Sequence, residues 1–81
     1  MDNYKQVLEK LENMTPFSGN TMRGYWHESL EGRQCYYVYS YTTLIAEQEG
    51  DYDSQHRWIS PEKYSVTTSR HQNIVRKAWG F

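Results

Sequence analysis

The chain has 81 residues, a formal net charge of −1 and 16% aromatic residues. A chain of this length buries only about 60% of its unfolded surface, so we predict one small domain over residues 1–81. The low net charge argues against a general nucleic-acid binder, which is clearly basic, and against an acidic mimic of DNA.

The composition also indicates the compartment. The chain has one cysteine, Cys35, which excludes an internal disulfide and fits a reducing cytosol. The first residues lack the basic and apolar regions of a signal peptide. No apolar run approaches the roughly 18 residues that span a bilayer. These features predict a cytoplasmic protein without membrane contact.

The first predicted element is an amphipathic helix over Asp2–Met14, where apolar residues recur every three or four positions. Asp2 or Asn3 is suited to cap its start. Thr15–Pro16 ends it, because the residue before a proline is disfavoured in helical geometry. Phe17–Asn20 is predicted as a turn or short linker.

Two strands are predicted next. Met22–Ser29 is followed by a tight turn at Glu31–Gly32. Gln34–Ala46 then forms one long strand that is rich in β-branched and aromatic residues. A turn centred on Glu31–Gly32 places Trp26 opposite Tyr37, although a slip of one residue would exchange the two faces.

The third quarter of the chain is predicted as a loop and two short strands. Glu47–Ser54 is acidic and polar, which is typical of a solvated hairpin tip. Its acids do not match the spacing of a calcium loop. Arg57–Ser60 and Tyr64–Val66 are predicted as short strands.

A final helix is predicted from Thr68 or Ser69 to Trp79. Ser69 and Gln72 have the spacing of a capping box, and Gly80 is suited to end the helix. The predicted fold class is therefore α+β: an N-terminal helix, an antiparallel sheet of three to four strands and a C-terminal helix. Both faces of the long strand are apolar, so the helices are free to share one face or to take opposite faces.

One set of residues is a candidate surface for a partner protein. Aromatic residues two apart on a strand point to the same side, and such rows anchor proteins or stack on bases, unless they form part of the core. The acidic loop would add a charged rim suited to a basic groove. The candidates are Tyr37, Tyr39, Tyr41, Glu47, Glu49, Asp51, Asp53 and Trp58.

A second set is a candidate site for an anion or a nucleic acid. A helix N-terminus offers free N–H groups and a partial positive charge, and basic residues follow it here. The alternative is ordinary capping with a solvated basic face. The candidates are Thr67, Thr68, Ser69, Arg70, His71, Arg76 and Lys77.

Catalysis is not indicated. Cys35 and the three histidines lack the short spacing of a zinc site, and a cysteine within a strand is usually a small buried hydrophobe. A cysteine–histidine pair formed only in three dimensions stays open. We predict no enzyme activity, no metal and no cofactor.

Two segments, Tyr39–Ala46 and Lys63–Arg76, together with Trp58, resemble a family of short phage and prophage accessory proteins without an assigned biochemical function. The resemblance implies a bacterial host cell. Small phage proteins of this kind commonly bind and block a host protein. We therefore expect a non-enzymatic inhibitor of a host protein, such as a CRISPR effector or another defence enzyme.

Two alternatives accompany this expectation. The protein would instead be a small nucleic-acid-binding or regulatory protein if the basic C-terminal helix is the contact surface. A bare tyrosine-rich face would also favour a homodimer, because large exposed apolar patches are rare on monomers.

Overall fold

The computed structural model describes residues 3–19, 21–50, 57–62 and 64–80. These residues form one sheet of five strands in the order β1-β2-β3-β4-β5, with every neighbouring pair antiparallel. None of the described helices is both long and apolar enough to cross a membrane. The elements are α1 (Tyr4–Glu12), β1 (Phe17–Ser18), β2 (Met22–Glu28), β3 (Gln34–Ser40), β4 (Thr43–Glu49), β5 (Arg57–Ile59) and α2 (Val66–Trp79).

The α+β class and the two terminal helices are confirmed, and the strand number is corrected from three or four to five. Phe17–Ser18, predicted as a turn, pairs with β2 as an edge strand. The predicted strand over Gln34–Ala46 is in fact a hairpin, because the chain reverses between Ser40 and Thr43.

This reversal occurs at Tyr41, whose φ is +57°. Neither Tyr41 nor Thr42 is a usual residue for a tight turn, so the sequence does not indicate a break. Long-range contacts hold the turn instead: the Tyr41 N–H donates to the Thr21 carbonyl at 2.7 Å. The ladder also shifts register between Val38 and Tyr39.

The register of β2 and β3 differs by one residue from the prediction. Trp26 lies opposite Tyr36, and Tyr25 lies opposite Tyr37. The strands are joined by a loop closed by a hydrogen bond from Ser29 N–H to the Arg33 carbonyl at 2.7 Å. This shift pairs two tyrosines on the same side of the sheet.

Both helices cover one side of the sheet, here called the inner face. The helices contact each other, and α2 contacts β4 and β5. The core between them and the inner face contains Val7, Leu11, Phe17, Met22, Tyr36, Val38, Ile45, Ala46, Val75 and Trp79. Neither α1 nor α2 packs on the opposite side, which is here called the outer face.

Aromatic side chains fasten the end of α1 to the rest of the domain. Three rings of the core each donate a hydrogen bond to a backbone carbonyl at or just after the last turn of this helix, where carbonyls have no partner within the helix. The pairs are Trp79 Nε1 to Leu11 at 3.1 Å, Trp26 Nε1 to Met14 at 2.8 Å and Tyr36 OH to Thr15 at 2.7 Å.

The start of α2 lies earlier than predicted. Ser65 is the N-cap, with its Oγ accepting the Thr68 N–H at 3.2 Å. The predicted strand Tyr64–Val66 and the capping box at Ser69 are therefore wrong. The side chain of Gln72 is buried and donates to the carbonyls of Ser60 and Glu62, which lie before the helix.

Candidate functional site

A row of side chains crosses the outer face from β2 to β5. Tyr25 lies opposite Tyr37, Tyr37 opposite Glu47, and Glu47 opposite Trp58. Directly paired residues project on the same side of a sheet, so these four side chains lie next to one another in the order of the strands. The row therefore places one carboxylate between aromatic rings.

The tyrosines of the outer face form a cluster. The Tyr25 and Tyr39 rings are stacked, with centroids 5.9 Å apart and planes at 4°. The Tyr25 and Tyr37 centroids are 6.2 Å apart. The guanidinium carbon of Arg23 lies 5.3 Å from the Tyr39 ring centroid, within the range of a cation–π contact.

The hydroxyls of Tyr37 and Tyr39 remain protonated at neutral pH. Burial, and after it the neighbouring Cys35 side chain, raises the pKa of Tyr37 to about 12. Burial and a hydrogen bond with Tyr25 also raise the pKa of Tyr39. Neutral phenols donate and accept hydrogen bonds, so the outer face offers polar groups on apolar rings.

A cavity of about 350 Å³ adjoins the row at the β2–β3 loop. Its walls combine three carboxylates with a thiol, a phenol and a leucine side chain. Leu30 is fully exposed at the tip of this loop, while Cys35 at the base of the cavity is buried. The lining residues are Ser29, Leu30, Glu31, Cys35, Tyr37, Glu47 and Glu49.

The carboxylates of the cavity differ in their partners. Glu49 pairs with the guanidinium of Arg33 in an exposed ion pair, and Glu31 is also near enough to raise the pKa of Arg33 further. Within the described ranges, no cation pairs with Glu47. The cavity therefore carries negative charge that Arg33 offsets only in part.

The predicted partner-binding residues divide accordingly. Tyr37, Tyr39, Glu47, Glu49 and Trp58 lie on the outer face. Tyr41 lies in the turn after β3 and is half exposed. Asp51 and Asp53 lie outside the described residues.

Sequence reasoning missed the members of this face that come from β2. Arg23 and Tyr25 enter it because the register is one residue away from the prediction. It also placed Glu47 and Glu49 in a loop, although both belong to β4. The alternation of Tyr25 with Gly24 and Trp26, which lie on the inner face, was the available signal.

Part of the predicted anion site is buried inside the domain. Thr68 and His71 are buried and belong to a chain of hydrogen bonds that joins α2 to the sheet. Ser40 donates to Thr68 Oγ1 at 3.0 Å and lies 2.6 Å from His71 Nδ1. Thr21 Oγ1 lies 3.2 Å from His71 Nε2.

Both ring nitrogens of His71 take part in this chain. With the Ser40 hydroxyl donating to Thr68, the Ser40 oxygen accepts from His71 Nδ1–H. In the neutral imidazole, His71 Nε2 then accepts from the Thr21 hydroxyl. Burial also lowers the pKa of His71, so the residue serves the packing of α2.

The remaining residues of that set are distributed along α2. Arg70 and Lys77 are exposed, while Thr67 and Ser69 are half-buried. Arg76 is half-buried and donates to Asn73 Oδ1 at 3.0 Å. The basic side chains therefore do not gather at the N-terminus of the helix.

The described residues contain no group of three or more His, Cys, Asp or Glu side chains placed to hold a metal ion. Cys35 and Glu49 share the acidic cavity, and His71 is engaged with Ser40 and Thr21. This arrangement supplies no metal-ligand set in the described part of the chain.

Comparison with known families identifies the family of this domain. The model of a family of unknown function (DUF8033) matches residues 3–78. The chain belongs to this family. The match extends over α1 and β2, which the resemblance noted in the sequence does not include. Searches of curated proteins and of solved structures found no significant match.

The DUF8033 match spans both sides of this domain. It includes the buried chain of Thr21, Ser40 and His71 as well as the outer-face row from Tyr25 to Trp58. The motif residues of the sequence resemblance divide between the two: Ser40, Thr68 and His71 hold α2 on the sheet, whereas Tyr39 and Trp58 lie on the outer face.

Proposed function

We propose that this protein is a non-enzymatic binding domain that captures a partner protein on its outer face. The observation that carries the proposal is the row of Tyr25, Tyr37, Glu47 and Trp58 across four strands, on the side of the sheet that neither helix covers. The residues that dominate the affinity of protein interfaces are enriched in tyrosine and tryptophan, because large rings exclude water while their polar groups form hydrogen bonds.

The charge of the same surface supports a basic partner. Glu47 has no cationic partner among the described residues, and the adjoining cavity also holds Glu31 and Glu49. Carboxylates around aromatic anchors orient a partner of opposite charge and disfavour phosphate groups. A basic surface of a host protein, such as a nucleic-acid groove, fits this pattern.

The proposed biological setting follows from the resemblance to short phage proteins. We propose that the captured protein is a bacterial host protein, in particular a defence component such as a CRISPR effector, and that occupying its basic groove inhibits it. The inhibitory action would require no chemistry from this domain. The observation on the outer face supports binding, and the resemblance supports the target class.

The test is capture of proteins from nuclease-treated bacterial lysate by the tagged domain and by two matched variants. Tyr25→Ser removes a ring of the stacked pair on the outer face. Tyr4→Ser removes an exposed ring from α1, on the other side of the domain. The proposal expects a protein that the wild type and Tyr4→Ser retain and that Tyr25→Ser loses.

The loss of affinity in Tyr25→Ser is then measured with the purified partner. Truncation of an aromatic anchor in an interface costs about 2 kcal/mol, or roughly thirtyfold in the dissociation constant. Equal binding by both variants would refute the outer face as the contact surface. Capture that disappears on nuclease treatment would instead support nucleic-acid binding through the basic α2 helix.

A further inference from the structure

Two aromatic side chains flank Glu47 on the outer face. Tyr37 on β3 and Trp58 on β5 each lie directly opposite Glu47 on β4. Neighbouring strands are about 4.8 Å apart, so the backbones of β3 and β5 are about 10 Å apart, with Glu47 on the strand between them. A group held at the Glu47 carboxylate is therefore next to both aromatic side chains.

This spacing suits a cation. A guanidinium or ammonium group is attracted to an aromatic face within about 6 Å of the ring centroid. Glu47 supplies the opposite charge in this slot, which consists of Tyr37, Glu47 and Trp58. The domain itself shows the same pairing twice: Arg23 lies 5.3 Å from the Tyr39 centroid, and Arg57 lies 5.1 Å from the Trp79 ring centroid.

The surroundings of the slot strengthen the selection for positive charge. Glu31 and Glu49 line the adjoining cavity together with Tyr37 and Glu47. Arg33 is engaged with Glu49, and in the described part of the chain no basic side chain occupies the space beside Glu47. Trp58 is 42% exposed, so its ring is accessible to an incoming side chain.

We propose that the slot formed by Tyr37, Glu47 and Trp58 binds the guanidinium of an arginine presented by the partner protein. Arginine is favoured over lysine because its planar group stacks on aromatic rings and meets a carboxylate with two parallel N–H donors. This inference rests on the proposed function and names the side chain that the outer face recognises.

The test uses amino-acid probes on the isotope-labelled full chain, followed by NMR. N-acetyl-arginine amide is titrated at low ionic strength to about 50 mM, since one ion pair with cation–π contacts gives millimolar binding. N-acetyl-citrulline amide, which has nearly the same shape without the charge, is the matched control ligand. Saturable shifts of the Glu47 amide and the Trp58 indole N–H with arginine alone are the expected result.

Variants separate the slot from general electrostatics. Glu47→Gln keeps the shape of the side chain, and we expect at least about a tenfold weaker response. Trp58→Leu removes one wall and should weaken the response similarly. Glu12→Gln removes the same charge from an exposed position at the end of α1 and should leave the titration unchanged.

Several outcomes would overturn the inference. These are no shift at the highest concentration, equal shifts with citrulline, or an unchanged response in a folded Glu47→Gln variant. Equal or tighter binding of N-acetyl-lysine amide would overturn the assignment to arginine. If partner capture depends on Tyr25 but the slot does not bind arginine, the proposed function stands and only the slot is refuted.

Discussion

Gly24 lies where the inner face has no room for a side chain. A β-carbon added at this position would lie 2.7 Å from the Tyr36 hydroxyl oxygen and 2.9 Å from Phe17 Cδ1, and it would also collide with Phe17 Cε1. Real β-carbons essentially never come within 3.0 Å of such atoms. Gly24→Ala therefore forces the Phe17 ring and the Tyr36 hydroxyl to move.

The change in the free energy of unfolding caused by Gly24→Ala combines opposing contributions. Replacing a glycine within a strand by alanine normally stabilises by about 0.5–1 kcal/mol. Overpacking a core costs about 1–3 kcal/mol, and loss of the hydrogen bond from Tyr36 to the Thr15 carbonyl costs about 0.5–1.5 kcal/mol more. We expect a net loss of about 2 kcal/mol, which lowers the Tm by about 10–15 °C in a domain of this size.

Thermal and urea unfolding, followed by tryptophan fluorescence, measure this change. A double-mutant cycle with Phe17→Leu isolates the cause, because the smaller side chain makes room for the added methyl. The cost of Gly24→Ala should fall by about 1 kcal/mol in the Phe17→Leu background. A Tm that is unchanged or raised by Gly24→Ala would refute the close approach of these residues, and additive costs would refute the role of Phe17.

Two further predictions concern the attachment of α2. Because burial lowers the pKa of His71, its contribution to stability is complete above the ordinary histidine pKa of about 6.5 and is lost as the pH falls below it. The wild-type Tm should therefore fall more steeply towards acid than the Tm of His71→Asn. His27→Asn, at an exposed position, is the control and should retain the wild-type slope. Parallel curves of Tm against pH for all three proteins would contradict this role of His71. Trp79→Phe should cost about 2–3 kcal/mol in urea unfolding, because it shrinks a buried ring and removes the hydrogen bond from Trp79 Nε1 to the Leu11 carbonyl. Trp58→Phe on the outer face should change stability by under about 0.5 kcal/mol, and equal costs at the two positions would contradict the packing.

Local signals in the sequence account for several elements. The apolar period of α1, its capping box of Asn3 with Gln6 and the left-handed Gly80 after α2 depend on residues a few positions apart. Such features are visible without a tertiary structure. The boundaries still moved: α1 ends at Glu12 although its apolar pattern reaches Met14.

The main errors arose where distant residues decide the local geometry. Tyr41 takes a positive φ because Thr21, far away in the chain, accepts its N–H. Ser65 replaces Ser69 as the N-cap of α2 because Thr68 and Gln72 are bound to residues before the helix. In each case the spacing of residue types alone allowed the wrong choice.

By itself, the sequence determined the α+β class, the terminal helices and the aromatic and acidic residues from which a contact surface is made. Only the tertiary structure decided which of them share that surface. The reason is the two-residue period of a strand: a shift of one position in register moves every side chain to the other face. That shift joined Tyr25 to Tyr37 and Glu47, while both helices pack on the inner face and so cover none of this row.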